Sequence, residues 1–168
     1  MEHQTEIHLR PLQFADAPLM LEWMHDESVT SHLATNFRDK TLDDCQGFVC
    51  WANQTDSDLH LAVADENDTY MGTVSLKHIH NGTAEFAITV RTSAMGKGYA
   101  RWGMAAILEK GLQEMGLSAI YWCVSRENTR AVRFYDKNGY QRTEDVPAHI
   151  LAAYTPQQLD GFYWYVVK

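Results

Sequence analysis

The sequence predicts an α+β fold in which a mixed, mostly antiparallel central sheet is flanked by helices. Two β-rich stretches, residues 70–79 and 83–91, are separated by Asn81-Gly82, the strongest short signal for a hairpin turn. Downstream, a helical pattern, a short apolar strand and a second helical pattern follow one another. Antiparallel strands followed by α/β units form a mixed sheet, which differs from the strict alternation of a doubly wound fold.

The other elements are predicted from periodicity and end signals. Asp16 precedes apolar residues at helical spacing, and Thr41, with Asp44 three residues later, resembles a capping box that opens a second helix. Gly116 ends a long amphipathic helix that begins at Ala100. Further strands are expected at residues 6–12, 60–64, 118–125, 140–143 and 162–167, and a further helix at 127–137. The predicted order is β-α-α-β-β-β-α-β-α-β-β.

Length and composition indicate one globular domain, residues 1–168. The chain has 168 residues, of which 45% are hydrophobic and 21% charged, close to the globular average. Fourteen Lys and Arg against 22 Asp and Glu give a net charge of −8. This balance argues against nucleic-acid binding, which needs a basic face. An acidic surface remains compatible with a small cationic substrate.

The cysteines and the first residues indicate a reduced, cytoplasmic protein. Cys45, Cys50 and Cys123 are odd in number and form no C-x-x-C pair, so no disulfide framework is expected. The first twelve residues lack the layout of a signal peptide. No apolar run approaches the roughly 20 residues of a membrane helix, so no membrane association is expected.

Neither a metal site nor a catalytic thiol is predicted. His78 and His80 place two side chains on one strand face, but no Asp, Glu or Cys lies near them at a familiar ligand spacing. Cys123 lies in a predicted buried strand, without a helix start or cationic neighbour that would lower its pKa.

The most informative segment joins a strand to the long helix. Residues 84–90 form the strand, and a loop with two glycines, Met95-Gly96-Lys97-Gly98-Tyr99-Ala100, opens the helix. Glycines let the backbone approach a ligand, and a helix N-terminus offers unpaired N–H groups with partial positive charge. This arrangement predicts an anion site, typically for phosphate.

Two common phosphate loops do not fit this segment. The mononucleotide loop needs Lys-Ser or Lys-Thr after its second glycine, whereas Tyr99 follows Gly98. The dinucleotide fingerprint needs a third glycine at the position of Arg101. A nucleotide-dependent enzyme is therefore not favoured.

The loop resembles the coenzyme A pyrophosphate loop, [QR]-x-x-G-x-[GA], of the GNAT superfamily of N-acetyltransferases. Gly98 and Ala100 match this pattern, whereas Met95 stands where the family usually has Gln or Arg. The predicted element order is similar to the family fold over nearly the whole chain. The opening residues 9–12 and residues 84–86 resemble the branch of ribosomal-protein and spermidine acetyltransferases.

A second motif of the same superfamily begins 30 residues after Gly98. Asn128 is followed three residues later by Ala131, seven residues later by Tyr135, and then by a closing Gly139-Tyr140. Two motifs in the expected element order make the resemblance specific.

The resemblance implies acetyl-CoA as a co-substrate and assigns residues to it. The pantetheine arm would pair like an added strand with backbone groups of Phe86, Ile88 and Val90. Asn128 would bond the pantetheine, cap its own helix, or do both. The loop from Met95 would hold the pyrophosphate on backbone N–H groups of Gly96, Lys97, Gly98, Tyr99, Ala100 and Arg101. The side chains of Lys97 and Arg101 either add charge there or are solvated.

The resemblance also implies two catalytic residues. Tyr135 would be the general acid that protonates the coenzyme A sulfur. The alternative is a structural role, in which the ring is buried and the hydroxyl is exposed to solvent. Glu85 would be the base that takes a proton from the amine directly or through water, or would bind the ammonium group. The alternative for Glu85 is a salt-bridged strand residue.

The predicted function is acetyl transfer to a primary amine of a small molecule, such as a polyamine or an amino sugar, in a ternary complex. A protein N-terminus is the second choice of acceptor. A coenzyme A-binding module without turnover is the alternative from another class, and the departure at Met95 favours it. The acidic residues Glu22, Asp26 and Glu27 would attract a cation.

Two further expectations concern the C-terminal part. Residues 144–156 carry two of the four prolines, differ from the spermidine branch and are expected to shape a different acceptor pocket. Because many relatives pair through their late strands, a homodimer is the assembly that the resemblance suggests.

Overall fold

A seven-stranded sheet organises the chain in the computed structural model, which describes residues 6–33 and 35–168. The strands are β1 (His8–Pro11), β2 (Leu59–Ala64), β3 (Tyr70–His80), β4 (Thr83–Val90), β5 (Ala119–Ser125), β6 (Gln141–Arg142) and β7 (Phe162–Val167). Their spatial order is β1-β2-β3-β4-β5-β7-β6. All neighbouring pairs are antiparallel except β4 and β5, which are parallel. The predicted mixed, mostly antiparallel sheet is confirmed.

Seven helices flank the sheet in the described residues. They are α1 (Ala17–Met24), α2 (Glu27–Thr30), α3 (Leu42–Ala52), α4 (Tyr99–Glu109), α5 (Thr129–Lys137), α6 (Ala148–Leu151) and α7 (Pro156–Asp160). The predicted capping box is present at α3, where Thr41 Oγ1 accepts from the N–H of Asp44 and the Asp44 carboxylate accepts from the N–H of Thr41. The sequence prediction missed α2, α6 and α7, because four or five residues are too few to show a helical period.

The long central helix differs from its prediction at the C-terminal end. Residues 110–114 form a π-helical turn in which the N–H of Met115 donates to the carbonyl of Lys110, at 3.0 Å. At Gly111 a Cβ atom would lie 2.8 Å from Ile120 Cδ1 and 2.9 Å from Leu76 Cδ1. The π-helical turn therefore places the backbone of Gly111 directly against the sheet. Sequence periodicity does not reveal this contact.

Apolar clusters cover both faces of the sheet. Because successive strand residues point to opposite faces, Ile120 and Trp122 join the main cluster under α4 and α5, whereas Cys123 and Trp164 join a smaller one with Ile150 of α6. A third cluster lies between α1, α3 and the β2–β3 pair. Helix α4 and helix α5 thus pack on one face, and α1, α3 and α6 on the other.

Candidate functional site

The parallel strands β4 and β5 pair over three residues and then diverge. Their register runs from Thr83 opposite Ala119 to Glu85 opposite Tyr121. Beyond Glu85, strand β4 continues to pair with β3 as far as Val90. In the described part of the chain, the other edge of residues 86–90 therefore has no strand neighbour. Alternate residues point backbone N–H and C=O groups at this edge, which is where an extended ligand can pair.

The glycine loop lies beyond the end of this open edge. Gly98 is the N-cap of α4 with φ 87°, and no side chain caps the helix. Gly96 has φ 75°, and a Cβ atom at either glycine would meet nothing within 4 Å. Glycine occupies both positions because the backbone is left-handed there, and not because a side chain would clash with a neighbour. The uncapped helix start leaves backbone N–H groups available to an anion.

The other loop residues divide into buried and exposed ones. Met95 is half-buried and packs against the main apolar cluster, and Tyr99 is buried in that cluster. Lys97 and Arg101 are exposed beside the helix start. The two cations lie where they can add charge to a bound phosphate, whereas Met95 and Tyr99 anchor the loop by packing.

Tyr135 lies on α5 with its ring inside the main cluster. Its ring centroid is 5.6 Å from that of Trp122 and 5.1 Å from that of Tyr165. Burial, with Cys123 and Tyr165 nearby, raises the pKa of Tyr135 above the ordinary value. The hydroxyl is therefore protonated at neutral pH, the state that a proton donor needs.

Asn128 has the cap geometry that its position predicts. Its Oδ1 accepts a hydrogen bond from the N–H of Ala131, at 3.3 Å, at the start of α5. The side chain thereby fixes the helix that carries Tyr135.

Glu85 is the last residue of β4 that is in register with β5, and only 1% of it is exposed. Its Oε2 accepts a hydrogen bond from the hydroxyl of Tyr154, and the thiol of Cys123 approaches the same oxygen at 4.0 Å. Its Oε1 is buried, has no hydrogen-bond partner among residues 6–33 and 35–168, and lies 3.6 Å from Nε2 of His78. One carboxylate oxygen is thus held, and the other remains free to accept a proton.

Sequence reasoning missed Tyr154, the partner of this carboxylate. The residue lies between α6 and α7, and its ring packs against Phe162 and Trp164 at 5.4 and 5.8 Å. Burial, with Cys123 and Glu85 nearby, raises the pKa of Tyr154, so its hydroxyl stays protonated and donates. The only sequence signal was the unusual composition of residues 144–156.

The thiol of Cys123 is not suited to nucleophilic catalysis. Burial, with the charge of Glu85 close by, raises its pKa to about 12. A thiol with that pKa is almost wholly protonated at neutral pH, as the sequence prediction expected.

Two acidic residues predicted to attract a cation are already engaged with protein groups. Glu22 accepts from the guanidinium of Arg91 at 3.1 Å. Asp26 caps α2 by accepting from the N–H of Ser28 at 3.0 Å, and it also accepts from the hydroxyl of Thr92. These contacts connect the α1–α2 corner to Arg91 and Thr92, which follow β4. Glu22 and Asp26 therefore stabilise the packing of this corner.

Two general features of the described residues complete the picture. No group of three or more His, Cys, Asp or Glu side chains among residues 6–33 and 35–168 is arranged to hold a metal ion. No helix in the same ranges is long and apolar enough to cross a bilayer.

The residues present fit coenzyme A. An open strand edge suits a pantetheine arm with its amides, and the uncapped α4 start with two unobstructed glycines suits a pyrophosphate. A family model described as an acetyltransferase (GNAT) domain matches residues 6–141. The chain therefore belongs to the GNAT family of acetyl-CoA-dependent N-acetyltransferases.

The relatives agree with this assignment. Uncharacterized N-acetyltransferase p20 of Bacillus licheniformis is 24% identical over 145 residues, which cover 83% of this chain and 82% of that protein. The spermidine N-acetyltransferase of Vibrio cholerae, solved with CoA and spermine, has a TM-score of 0.78 at 20% identity and covers 96% of this chain and 95% of its own. A GNAT-family acetyltransferase of Bacillus anthracis has a TM-score of 0.76 at 22% identity, with 98% and 96% covered. The two structural similarities establish the same fold.

Proposed function

We propose that the protein transfers the acetyl group of acetyl-CoA to a primary amine of a small cationic molecule. The observation that carries this proposal is the arrangement at the opening between β4 and β5. Glu85, with a free buried oxygen, stands where the two strands part, and Tyr135 packs against the β5 residue Trp122 on the opposite face of the sheet. A base and an acid on either side of one opening suit direct attack by an amine, without an acyl-enzyme.

The cofactor-binding residues support the proposal through their backbone. The open edge at Phe86, Ile88 and Val90 would hold the pantetheine, and the α4 start from Gly96 to Arg101 would hold the pyrophosphate. Acetyl-CoA supplies the activated thioester. A backbone N–H of β4 directed at the carbonyl would stabilise the charge that develops on its oxygen.

Glu85 would remove the proton of the acceptor. A free primary amine has a pKa of about 10.4 and is almost wholly protonated at neutral pH. The carboxylate oxygen Oε1 has no hydrogen-bond partner in the described residues, whereas Oε2 is fixed by Tyr154. An ammonium group placed at Oε1 would be bound by its charge and then deprotonated there.

Tyr135 would protonate the sulfur that leaves. Its hydroxyl is protonated at neutral pH, as tyrosine hydroxyls ordinarily are, and burial raises its pKa further. The Asn128 cap holds the helix, and an edge-on contact with Trp122 and a tilted contact with Tyr165 hold the ring in place.

Several observations bear on the acceptor. The net charge of −8 favours a cation over an anion. Spermidine is the substrate in the name of the Vibrio cholerae neighbour, which makes a polyamine the first acceptor to test. Residues 144–156, however, place Tyr154 beside Glu85, and Glu22 and Asp26 are engaged elsewhere. An amino sugar or a related monoamine therefore belongs in the same test, and a protein N-terminus is the second class of acceptor.

The test combines thermal melting with release of free thiol over an amine panel. Acetyl-CoA at a hundredfold excess over Kd should stabilise the protein by about 2.7 kcal/mol. Thiol release should occur with spermidine, an amino sugar or another small primary amine. The variant Glu85→Gln should keep the melting shift and lose most of the release, since it preserves shape and removes the base.

Two outcomes would contradict the proposal. Release with a peptide N-terminus, but with no small amine, would replace the acceptor class. A melting shift without release for any acceptor would indicate a coenzyme A-binding module.

A further inference from the structure

His78 has an unusual backbone conformation at the edge of the site. Its φ is 53°, in the left-handed region that non-glycine residues rarely adopt, and it lies in the irregular register of β3 between Lys77 and His80. Its N–H is held by Oδ1 of Asp58, at 3.0 Å. The conformation brings the ring to Glu85, with 3.6 Å between Nε2 and Oε1. A backbone outlier kept in place next to a functional side chain is a reason to look for a function.

The oxygen that His78 approaches is the one without a hydrogen bond. Oε1 of Glu85 is buried and unpartnered, and the side chain of Glu85 is 2% exposed. The side chain of His78 is 39% exposed. His78 is therefore in contact both with the buried carboxylate and with solvent, and the separation of 3.6 Å is typical of a catalytic pair before the substrate binds.

We propose that His78 carries the proton of the acceptor amine from Glu85 to solvent. This inference rests on the proposed function, because it supplies the exit that a buried base needs. His78 acts through Glu85 and does not itself touch the substrate. Without an exit, a protonated Glu85 would block the next turnover, since its other oxygen is bound by Tyr154.

The proton balance is simple. The ammonium group of the acceptor loses one proton to Oε1, which leaves a neutral amine and a protonated Glu85. Nε2 of neutral His78 takes this proton, which restores the carboxylate and forms an imidazolium. After attack the nitrogen loses a second proton, which replaces the one that Tyr135 gives to the sulfur. The imidazolium releases its proton to water, so that each turnover exports one proton net and Glu85, His78 and Tyr135 return to their initial states. An imidazole is suited to this because its ordinary pKa is about 6.5.

Other ionisable groups surround the pair from each neighbouring element. Among the described residues only His78 approaches Oε1 from the solvent side, because Tyr154 and Cys123 approach Oε2 and His80 packs edge-on against His149 with ring centroids 5.2 Å apart. The ionisable groups near His78 and Glu85 include Asp58 just before β2, His60 of β2, Lys77 of β3, Tyr121 and Cys123 of β5, and Tyr154 after α6, whereas His80 contacts His149 instead.

The experiment uses His78→Gly, with His80→Gln as the matched control. Glycine adopts a φ of 53° without strain, so the variant is expected to fold. We expect kcat/KM for the best amine of the panel to fall by about tenfold or more, with the KM for acetyl-CoA unchanged. Added imidazole should restore much of the loss, because it can enter the gap left by the ring. His80→Gln removes a neighbouring histidine that does not approach Glu85 and should behave as wild type.

A second measurement separates a proton exit from a merely structural role. The test uses an analogue of the same amine whose pKa is lowered by a fluorine on the neighbouring carbon. A larger fraction of this analogue is already neutral in solution, so the enzyme has to remove a proton from fewer of the molecules that bind. The defect of His78→Gly should therefore shrink to about threefold or less for this analogue. An equal defect for both amines, no rescue by imidazole, or wild-type activity of His78→Gly would each overturn the proposal. A wild-type protein that turns over no amine would instead refute the proposed function itself.

Discussion

At the scale of single residues, the proposed chemistry depends on one buried carboxylate, that of Glu85. Burying a charged group is costly unless hydrogen bonds compensate. Glu85 receives one such bond from Tyr154, 69 residues further along the chain, and has no second one on Oε1. The missing hydrogen bond makes the fold less stable. It also leaves Oε1 unpaired at the place where the proposed acceptor amine would bind.

The first prediction at this scale concerns Tyr154→Phe. The ring would still pack against Phe162 and Trp164, but the buried carboxylate of Glu85 would lose its hydrogen bond, so the melting temperature should fall by roughly 3–6 °C. Without this bond the carboxylate is no longer held toward the opening, and a loss of about 1.4 kcal/mol of transition-state stabilisation is a factor of ten in rate. We therefore expect kcat to fall by about tenfold, as measured by thiol release, with the Kd for acetyl-CoA unchanged. A variant with wild-type kcat would show that Tyr154 does not position the base.

Residue roles could be predicted from the sequence only where a local motif carried them. Asn128 is a helix cap as its position indicated, and Glu85 and Tyr135 were singled out by strand and motif context. The contacts of Glu85 with Tyr154 and His78 were not predictable, because they depend on tertiary packing and on a left-handed backbone at His78. The roles of Glu85 and Tyr135 in turnover stay predictions.

At the scale of elements, α4 links the glycine loop to the sheet. The helix starts at an uncapped Gly98 and passes Val63 and Val74 at Gly103, where a Cβ atom would lie 2.8 Å from Val63 Cγ2 and 3.2 Å from Val74 Cγ1. Both valines are fully buried. This close approach fixes the height of the helix start above the sheet, and therefore the place of its free N–H groups.

The prediction at this scale is a pair of glycine substitutions. Gly103→Ala should lower the free energy of unfolding by about 1–3 kcal/mol, because stiff β-branched neighbours must move. Gly47→Ala, in α3, has nothing within 4 Å of the new Cβ atom and should raise the free energy of unfolding by about 0.5–1 kcal/mol. Urea unfolding followed by circular dichroism measures both. Equal effects of the two substitutions would contradict the close packing of α4.

Element boundaries were predictable to within a few residues where end signals were strong. The hairpin at Asn81-Gly82 and the capping box at Thr41 are present as expected. The π-helical turn after Glu109 was not, because it results from the fit of Gly111 against the sheet rather than from a local preference.

At the scale of the whole molecule, the order of the seven strands and the four longer helices, α1, α3, α4 and α5, was predictable from periodicity and end signals, whereas the short helices were not. Two long-range features were not predictable: the pairing of β5 with β7, and the end of the β4–β5 pairing after three residues. The register between strands that are distant in sequence leaves no local signal. A single domain and a homodimer both stay predictions.

The single domain predicts one cooperative unfolding transition. The three apolar clusters share strands of one sheet, so none can lose its packing alone. Tryptophan fluorescence, which reports on all five tryptophans, among them the buried Trp23 of α1 and Trp122 of β5, should follow the same urea curve as circular dichroism. Two separated transitions would divide the chain into independent folding units.

The open edge of β4 also bears on the colloidal behaviour of the protein. Unpaired strand edges ordinarily template the strands of other molecules and seed fibrils. Here the unpaired stretch, residues 86–90, faces a cleft whose opposite wall is β5 of the same chain. A single extended ligand needs the width of one strand, whereas a foreign β-strand that brings its own neighbours needs more room between β4 and β5. We therefore expect the backbone groups proposed to hold the pantetheine to be less exposed to polymerisation than an ordinary sheet edge.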